Sequence, residues 1–226
     1  MNGGKTKRAT RSYGLNDPTS FVVEEWPPSK RELYDAARAL FWEKGFVETS
    51  ILDIVTRAGL TKGAFYHYFS AKDDILRVMY ERSLERLLRD IEDETRRHAT
   101  VCATLDAVIR RMVQVANDYR VEVTLFWEQY RRLPESLAAA NRERRRSFMH
   151  GIMALVERGI ASGELSPALQ PRVVAMSLIG VCQHSVHWYM PGRGQSLDDM
   201  AQSIARLFLE GLRQRVTQEE TATHRH

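Results

Sequence analysis

Apolar residues recur along most of the chain at spacings of three and four, which is the period of an α-helix that buries one face. The stretches that show this pattern are about 29–44, 51–58, 62–68, 73–91, 100–118, 121–132, 135–161, 167–189 and 196–215. No stretch alternates with the period of two that a half-buried strand requires. The pattern therefore predicts an all-α protein.

Capping signals divide the N-terminal part of this pattern into separate helices. A serine followed three residues later by an acidic residue, which is the spacing of a capping box, occurs at Ser29, Ser50 and Ser70. Thr61 stands where it can cap a further helix, and Gly59 stands where a left-handed turn residue belongs. The sequence thus predicts two short helices joined by a tight turn around Gly59.

Two short helices joined by residues 57–60 match a helix-turn-helix, whose second helix enters the major groove of DNA. Residues 61–63 would lead into the groove, with a glycine that allows close approach, and Tyr66 and His67 would lie near its walls. The alternative interpretation is that the aromatic residues 66–68 only cover a small core.

Charge and composition narrow the range of partners. Lysine and arginine outnumber aspartate and glutamate by 33 to 29, for a net charge of +4, which favours anionic partners. Over residues 1–31 six basic residues stand against three acidic ones, and residues 1–28 are predicted to be a flexible basic arm that either contacts DNA or is a solvated tail. No window approaches the roughly 20 apolar residues of a membrane span. We expect a cytoplasmic protein without a membrane partner.

The sequence carries no motif of a common enzyme class, since GxSxG, P-loop, GxGxxG and HExxH patterns are all absent. We therefore predict no catalytic residues and no cofactor. His184 and His187 lack a nearby third ligand, and Cys102 and Cys182 lack metal-site spacing, so no metal site is expected. A non-specific architectural nucleic-acid-binding protein and, with less support, a helical enzyme are the alternative functions.

Residues 29–80 resemble the N-terminal signature of the TetR family of one-component repressors. The matching run comprises Thr49-Ser50-Ile51, Ile54, Ala58-Gly59-Leu60-Thr61-Lys62-Gly63, Phe65-Tyr66-His67-Tyr68-Phe69 and Lys72. The resemblance implies that Thr61, Lys62 and Tyr66 approach base edges. It also implies that phosphates are held by Thr49, His67, Tyr68 and Lys72.

The same resemblance implies a domain order and an assembly. A helix-turn-helix domain over 29–74 would precede a larger helical ligand-binding and dimerisation domain over 75–216, with a flexible tail at 217–226. The dimer face would come from the last two long helices, in which the small residues Ala175, Ser177 and Gly180 permit close approach. The expected function is a homodimeric repressor that binds a palindromic operator in double-stranded DNA and is released by a small hydrophobic ligand.

Residues 187–194 and 197–200 resemble the branch of the family that controls fatty-acid and steroid catabolism, several members of which answer to acyl-CoA thioesters. The bulky or adaptable residues that we expect to bind such a ligand are Phe126, Trp127, Tyr130, Met149, Met153, Met176, Ile179, Gln183 and His187. The alternative interpretation is ordinary core packing.

An arginine cluster supplies candidate partners for the phosphates of coenzyme A. Its members are Arg142, Arg144, Arg145 and Arg146, with Arg131 and Arg132 nearby. Guanidinium groups suit phosphate oxygens. The alternative is a solvated helix face whose arginines pair with Glu135 and Glu143.

Overall fold

The computed structural model describes residues 26–129 and 135–213, without the side chains of residues 126–129, 135–138, 140 and 141. The predicted tail and all of the predicted basic arm except its last three residues lie outside this part of the chain. The described residues form helices α1 Pro28–Lys44, α2 Ile51–Ala58, α3 Lys62–Tyr68, α4 Lys72–Arg97, α5 Val101–Asp118, α6 Arg120–Gln129, α7 Glu135–Ala161, α8 Pro171–Trp188 and α9 Leu197–Leu212. Outside the helices, these residues contribute one isolated β-bridge. The predicted all-α class is confirmed.

Two of the predicted helix starts are wrong in detail. The capping box expected at Ser29 is absent, because α1 begins at Pro28, whose fixed φ suits the first helical position. The box expected from Ser70 to Asp73 is also absent, since the Ser70 amide donates to the Asp74 carboxylate at 3.3 Å instead.

The start of α8 also differs from the sequence prediction. The helix begins at Pro171 rather than near residue 167. The intervening residues form a turn, in which the Leu169 amide donates to the Ser166 carbonyl at 3.2 Å. A proline at residue 171 ends this turn and starts the helix, because it fixes a helical φ without needing a donor partner.

The described residues form two apolar clusters, a larger one that we call the C-terminal cluster and a smaller one that we call the N-terminal cluster. The larger cluster is built from α5, α7, α8 and α9 together with the middle of α4. The smaller cluster joins α1, α2 and α3 to the first two turns of α4, and it also contains Val121 and Leu125 of α6. Residues of α4 and α6 therefore take part in the packing of the smaller cluster.

Candidate nucleic-acid interface

A tight turn joins α2 to α3. Gly59 adopts the left-handed conformation, with φ 66° and ψ 26°, which costs glycine less than any residue with a side chain. Its amide donates to the Thr56 carbonyl at 3.2 Å, and the Leu60 amide donates to the Val55 carbonyl at 2.9 Å. Phe65 of α3 is fully buried in the smaller apolar cluster, which joins α1, α2 and α3 to α4. The predicted helix-turn-helix geometry is therefore present.

The start of α2 is capped and tied to the end of α1. The Ser50 hydroxyl accepts the Asp53 amide at 3.1 Å, and the Asp53 carboxylate accepts the Ser50 amide at 2.8 Å, which confirms this capping box. The Lys44 ammonium also lies 2.7 Å from the Asp53 carboxylate. Lys44 and then Ser50 hold the pKa of Asp53 well below its usual range, so the carboxylate keeps its charge in mildly acidic solution too.

The N-terminal half of α3 faces outward. Thr61 caps the helix, as predicted, by accepting the Ala64 amide at 3.2 Å. Lys62 and Gly63 are exposed, and the Tyr66 side chain is 58% exposed. A methyl group at Gly63 would meet only the Thr61 hydroxyl, at 3.6 Å. Internal packing therefore does not require a glycine at residue 63.

The C-terminal end of α3 divides the aromatic residues between surface and core. His67 is exposed, whereas Tyr68 is half-buried and packs against the N-terminal cluster. Their rings meet edge to face with centroids 4.6 Å apart. The core-covering interpretation thus fits Tyr68, but it does not account for the exposed Tyr66 ring.

Thr49 and Lys72, which the resemblance assigned to phosphates, donate hydrogen bonds to backbone carbonyls of the loop between α1 and α2. Thr49 is 1% exposed, and its hydroxyl donates to the Gly45 carbonyl at 2.8 Å. The Lys72 ammonium donates to the carbonyls of Phe46 and Val47, at 2.8 and 3.1 Å, and to that of Thr49 at 3.0 Å. The structure thus places both side chains within the loop between α1 and α2. Backbone acceptors leave no trace in a sequence pattern, so this arrangement was not foreseen.

A buried ion pair joins α6 to α1. The Arg38 guanidinium lies 2.6 Å from the Glu122 carboxylate, and the two side chains are 13% and 2% exposed. The Tyr34 hydroxyl donates to the same carboxylate oxygen at 3.3 Å. Burial and the nearby Glu122 charge raise the pKa of Tyr34 well above its ordinary value, so its hydroxyl remains a donor.

A second chain of polar contacts runs from α7 along α4 towards α3. The Arg144 guanidinium lies 2.9 Å from Glu81, which also pairs with Arg77 at 2.6 Å. Arg77 in turn donates to Asp74 at 3.0 Å, and Asp74 accepts the Ser70 amide at 3.3 Å. Ser70 directly follows Phe69, the C-cap residue of α3. The partners lie far apart in sequence at the α7 end, so periodicity alone gave no sign of them.

The expected ligand-binding residues fall into several environments. Met149, Met153 and Ile179 are half-buried and pack against the C-terminal cluster. Gln183 is half-buried as well. The side chains of Phe126 and Trp127, and the whole of Tyr130, lie outside the described residues.

Met176 and His187 do not line the domain interior. Met176 is 53% exposed, and His187 is also exposed. The inward stripe of α8 runs through Val174, Leu178 and Cys182, so the helical period turns Met176 and His187 to the opposite side. Both side chains therefore lie on the surface of α8.

Several large apolar side chains are exposed on α8 and one on α9, and we call this set of residues the outer face. Its large members are Val173, Met176, Val181, Trp188 and Leu207, which are 37–70% exposed. Ser177 and Gly180 lie on the same side, and an added methyl at Gly180 would meet nothing within 4 Å. Ala175 is fully buried, so it lies on the inner side of α8 and not in this set.

Two members of the arginine cluster, Arg144 and Arg146 of α7, pair with carboxylates. Besides its contact with Glu81, Arg144 lies 3.7 Å from Glu85, and Arg146 lies 3.3 Å from Glu143. Arg131 and Arg132 lie outside the described residues. The pairing favours the interpretation of a charged helix face over a phosphate site.

The described ranges contain neither a metal-binding cluster nor a helix that could cross a membrane. No three histidine, cysteine, aspartate or glutamate side chains within them could hold a metal ion together. The exposed rings of His184 and His187 have centroids 4.8 Å apart. No helix in these ranges has the length and apolar character that a membrane crossing requires.

Two family models match this chain. Residues 33–79 match "Bacterial regulatory proteins, tetR family", and residues 98–212 match "Tetracyclin repressor-like, C-terminal domain". The first covers α2 and α3 with most of α1 and the start of α4, and the second covers α5 to α9.

Curated relatives extend over most of the chain. The HTH-type transcriptional repressor KstR2 of Rhodococcus jostii is 24% identical over 188 residues, which are 81% of this chain and 90% of that protein. The fatty acid metabolism regulator protein of Bacillus subtilis is 24% identical over 187 residues, which are 82% of this chain and 96% of that protein.

Solved structures share the fold. The ketosteroid transcriptional regulator KstR2 of Mycobacterium tuberculosis superposes with a TM-score of 0.73 at 22% identity, over 82% of this chain and 95% of that one. A tetR-family regulatory protein from Rhodococcus RHA1 gives 0.76 at 17% identity, over 84% of this chain and 100% of that one. With both its helix-turn-helix unit and its helical C-terminal half matched, the chain belongs to the TetR family of bacterial transcriptional regulators.

Proposed function

We propose that this protein is a ligand-responsive repressor, which binds a palindromic operator as a homodimer and leaves it when a small hydrophobic effector binds. The observation that carries the proposal is the outward-facing N-terminal half of α3, held by the turn at Gly59. The name of the Rhodococcus relative, a transcriptional repressor, supports the direction of regulation. The cytoplasm, where the DNA lies, is the proposed location.

The proposed base contacts are made by Thr61, Lys62 and Tyr66. All three are exposed at the face of α3 that a helix-turn-helix lays into the major groove. The open space at Gly63 supports close approach to the duplex, because a glycine inside a helix costs about 1 kcal/mol relative to alanine without any internal packing need. His67 and Tyr68, at the other end of α3, are proposed phosphate contacts.

The proposed dimer forms through the outer face of α8 and α9. Leu207 is 70% exposed and Val173 is 55% exposed, and these apolar side chains are favourable to bury against a second copy. A two-fold dimer would present two recognition helices to two half-sites about one DNA turn apart. A palindromic operator follows from that symmetry.

The proposed effector is an acyl-CoA thioester of fatty-acid or steroid catabolism. The names of the Bacillus and Mycobacterium relatives, which refer to fatty acid metabolism and to ketosteroids, support this class. The acyl chain would meet half-buried residues of α7 and α8, two residues of α6, and Tyr130. These residues are Phe126, Trp127, Tyr130, Met149, Met153, Ile179 and Gln183. The ion-paired Arg144 is not assigned to the coenzyme A phosphates.

Effector binding would change the position of α3 through movements that α4 and α6 transmit. A shift of α7 displaces Arg144 from Glu81 and so moves the contacts that end at Ser70, next to the recognition helix. A shift of α6 displaces Glu122 from Arg38 in α1. Either movement changes the spacing of the two recognition helices in a dimer. The coupling is reciprocal, so operator DNA weakens effector binding by the same factor.

The test is fluorescence anisotropy of labelled DNA from immediately upstream of this protein's own gene, with excess unrelated duplex present. We expect tight binding that a long-chain acyl-CoA reverses, and each of Lys62→Ala and Tyr66→Ala should weaken it by about tenfold or more. Arg158→Ala removes a matched positive charge from an exposed site on α7 and should leave the affinity unchanged. Circular dichroism checks that every variant keeps its helices.

Each remaining outcome removes a definite part of the proposal. Binding that unrelated duplex abolishes would point instead to an architectural protein, since purely electrostatic binding does not discriminate between sequences. Specific binding that ignores the thioester would reject the effector class. Unchanged affinity in both α3 variants would reject the assigned base contacts.

A further inference from the structure

Lys72 occupies an unusual position for a positive charge. It is the first residue of α4, at the helix end where the backbone dipole favours anions and disfavours an ammonium group. Asp73 and Asp74 in the same turn satisfy that preference. The ammonium instead reaches back across the unit to the loop between α1 and α2.

The contacts of Lys72 use its full donor capacity. An ammonium carries three hydrogens, and the Lys72 nitrogen lies 2.8, 3.1 and 3.0 Å from the carbonyl oxygens of Phe46, Val47 and Thr49. It also lies 4.6 Å from the centre of the Phe46 ring, within the range of a cation–π contact. A phosphate could be bound only by giving up one of these backbone acceptors.

The loop itself depends on such a donor. Phe46 and Thr49 are 8% and 1% exposed, and carbonyl groups at buried positions need partners. The Thr49 hydroxyl already binds the Gly45 carbonyl. Lys72 therefore satisfies carbonyls just before Ser50, which caps α2.

We propose that Lys72 is a positioning residue for operator binding, which clamps the segment before α2 to the segment after α3, and that it is not a phosphate ligand. The inference rests on the proposed repressor function. The recognition helix lies between α2 and α4, with only residues 59–61 and 69–71 as connections. A clamp from residue 72 to residues 46–49 therefore fixes α3 from both sides.

Three variants test the clamp. Lys72→Met removes the ammonium and keeps most of the stem, whereas Lys72→Arg keeps the charge but replaces a three-donor nitrogen by a planar fork. Lys62→Met is the matched control, because Lys62 is an exposed lysine of the same unit without a role in the loop. The first readout is hydrogen exchange at the amides of Ser50 and Asp53, which close the α2 capping box.

The clamp predicts that exchange at these two amides rises about tenfold or more in Lys72→Met, and also rises in Lys72→Arg, while Lys62→Met leaves it unchanged. Unchanged exchange in both Lys72 variants would overturn the clamp. This readout needs no DNA, so it is independent of the proposed function. If Lys72→Met fails to fold, Lys72→Arg alone carries the comparison.

The second readout separates positioning from phosphate binding. If Lys72 is a positioning residue, both of its variants bind the operator about tenfold more weakly than the wild type. The dependence of log affinity on log salt then keeps its wild-type slope. A phosphate ligand would instead reduce that slope by about one in Lys72→Met and keep its affinity in Lys72→Arg. This second pattern would overturn the proposal. If the wild-type protein shows no specific binding to operator DNA, the repressor function is refuted, and with it the role of Lys72 in DNA binding. The hydrogen-exchange result is independent of that outcome.

Discussion

Replacing Glu122 by glutamine removes one charge from the ion pair that joins α6 to α1, with almost no change in shape. The Glu122 side chain is 2% exposed, and the Arg38 side chain is 13% exposed. The second carboxylate oxygen of Glu122 is buried and accepts no hydrogen bond from the residues that the structure describes. The substitution therefore leaves the Arg38 guanidinium largely buried, with a neutral acceptor in place of a charged one.

The magnitude follows from the burial. Removing one partner of a fully buried pair costs about 3–5 kcal/mol, because the other charge is left uncompensated. The cost is smaller here, since Arg38 keeps some contact with water and the glutamine oxygen can still accept its N–H group. We expect Glu122→Gln to lower the free energy of unfolding by about 2–3 kcal/mol. Arg38→Met strands the more deeply buried carboxylate, so it should cost more.

The assay is urea unfolding followed by circular dichroism at 222 nm, at one fixed protein concentration because association contributes to apparent stability. The two single variants and the double variant form a thermodynamic cycle. The double variant contains no stranded charge, so its loss should be smaller than the sum of the single losses by at least about 1 kcal/mol. Additive losses, or a loss below about 0.5 kcal/mol for Glu122→Gln, would refute the reasoning that this pair is buried and coupled.

Two further predictions concern the C-terminal half. Gly159→Ala should be less stable than Gly151→Ala by about 1–3 kcal/mol in thermal unfolding. The reason is that a methyl at Gly159 would lie 2.6 Å from Leu165, whereas one at Gly151 meets nothing closer than 3.9 Å. Equal stability changes in these two variants of α7 would contradict this packing. Burial raises the pKa of Cys182 to about 12. In a Cys102→Ser background, the Cys182 thiol of the native protein should therefore react with a disulfide reagent at pH 8 only as fast as the protein opens. Labelling as fast as that of a free thiol would show instead that Cys182 is accessible.

The features that the sequence predicted correctly are interactions between residues close together in the chain. The Ser50 capping box, the Thr61 cap and the left-handed Gly59 were predictable, because each depends on residues within a few positions of one another. The start of α1 was not, since a serine at the right spacing competes with a proline that already fixes the first turn. The same limit applies at Ser70, where two neighbouring aspartates offer the same chemistry and only the geometry selects Asp74.

The sequence by itself determined the helical class, the turn between α2 and α3, and the family, because helix periodicity, capping and a contiguous motif are written in neighbouring residues. Tertiary structure alone decided that Lys72 faces backbone carbonyls, that Met176 faces outward, and that Glu122 pairs with Arg38. The physical reason is that backbone acceptors are common to all residues, and that a helical face becomes inner or outer only when other helices pack against it. Contacts between residues 84 positions apart arise only once the chain has folded.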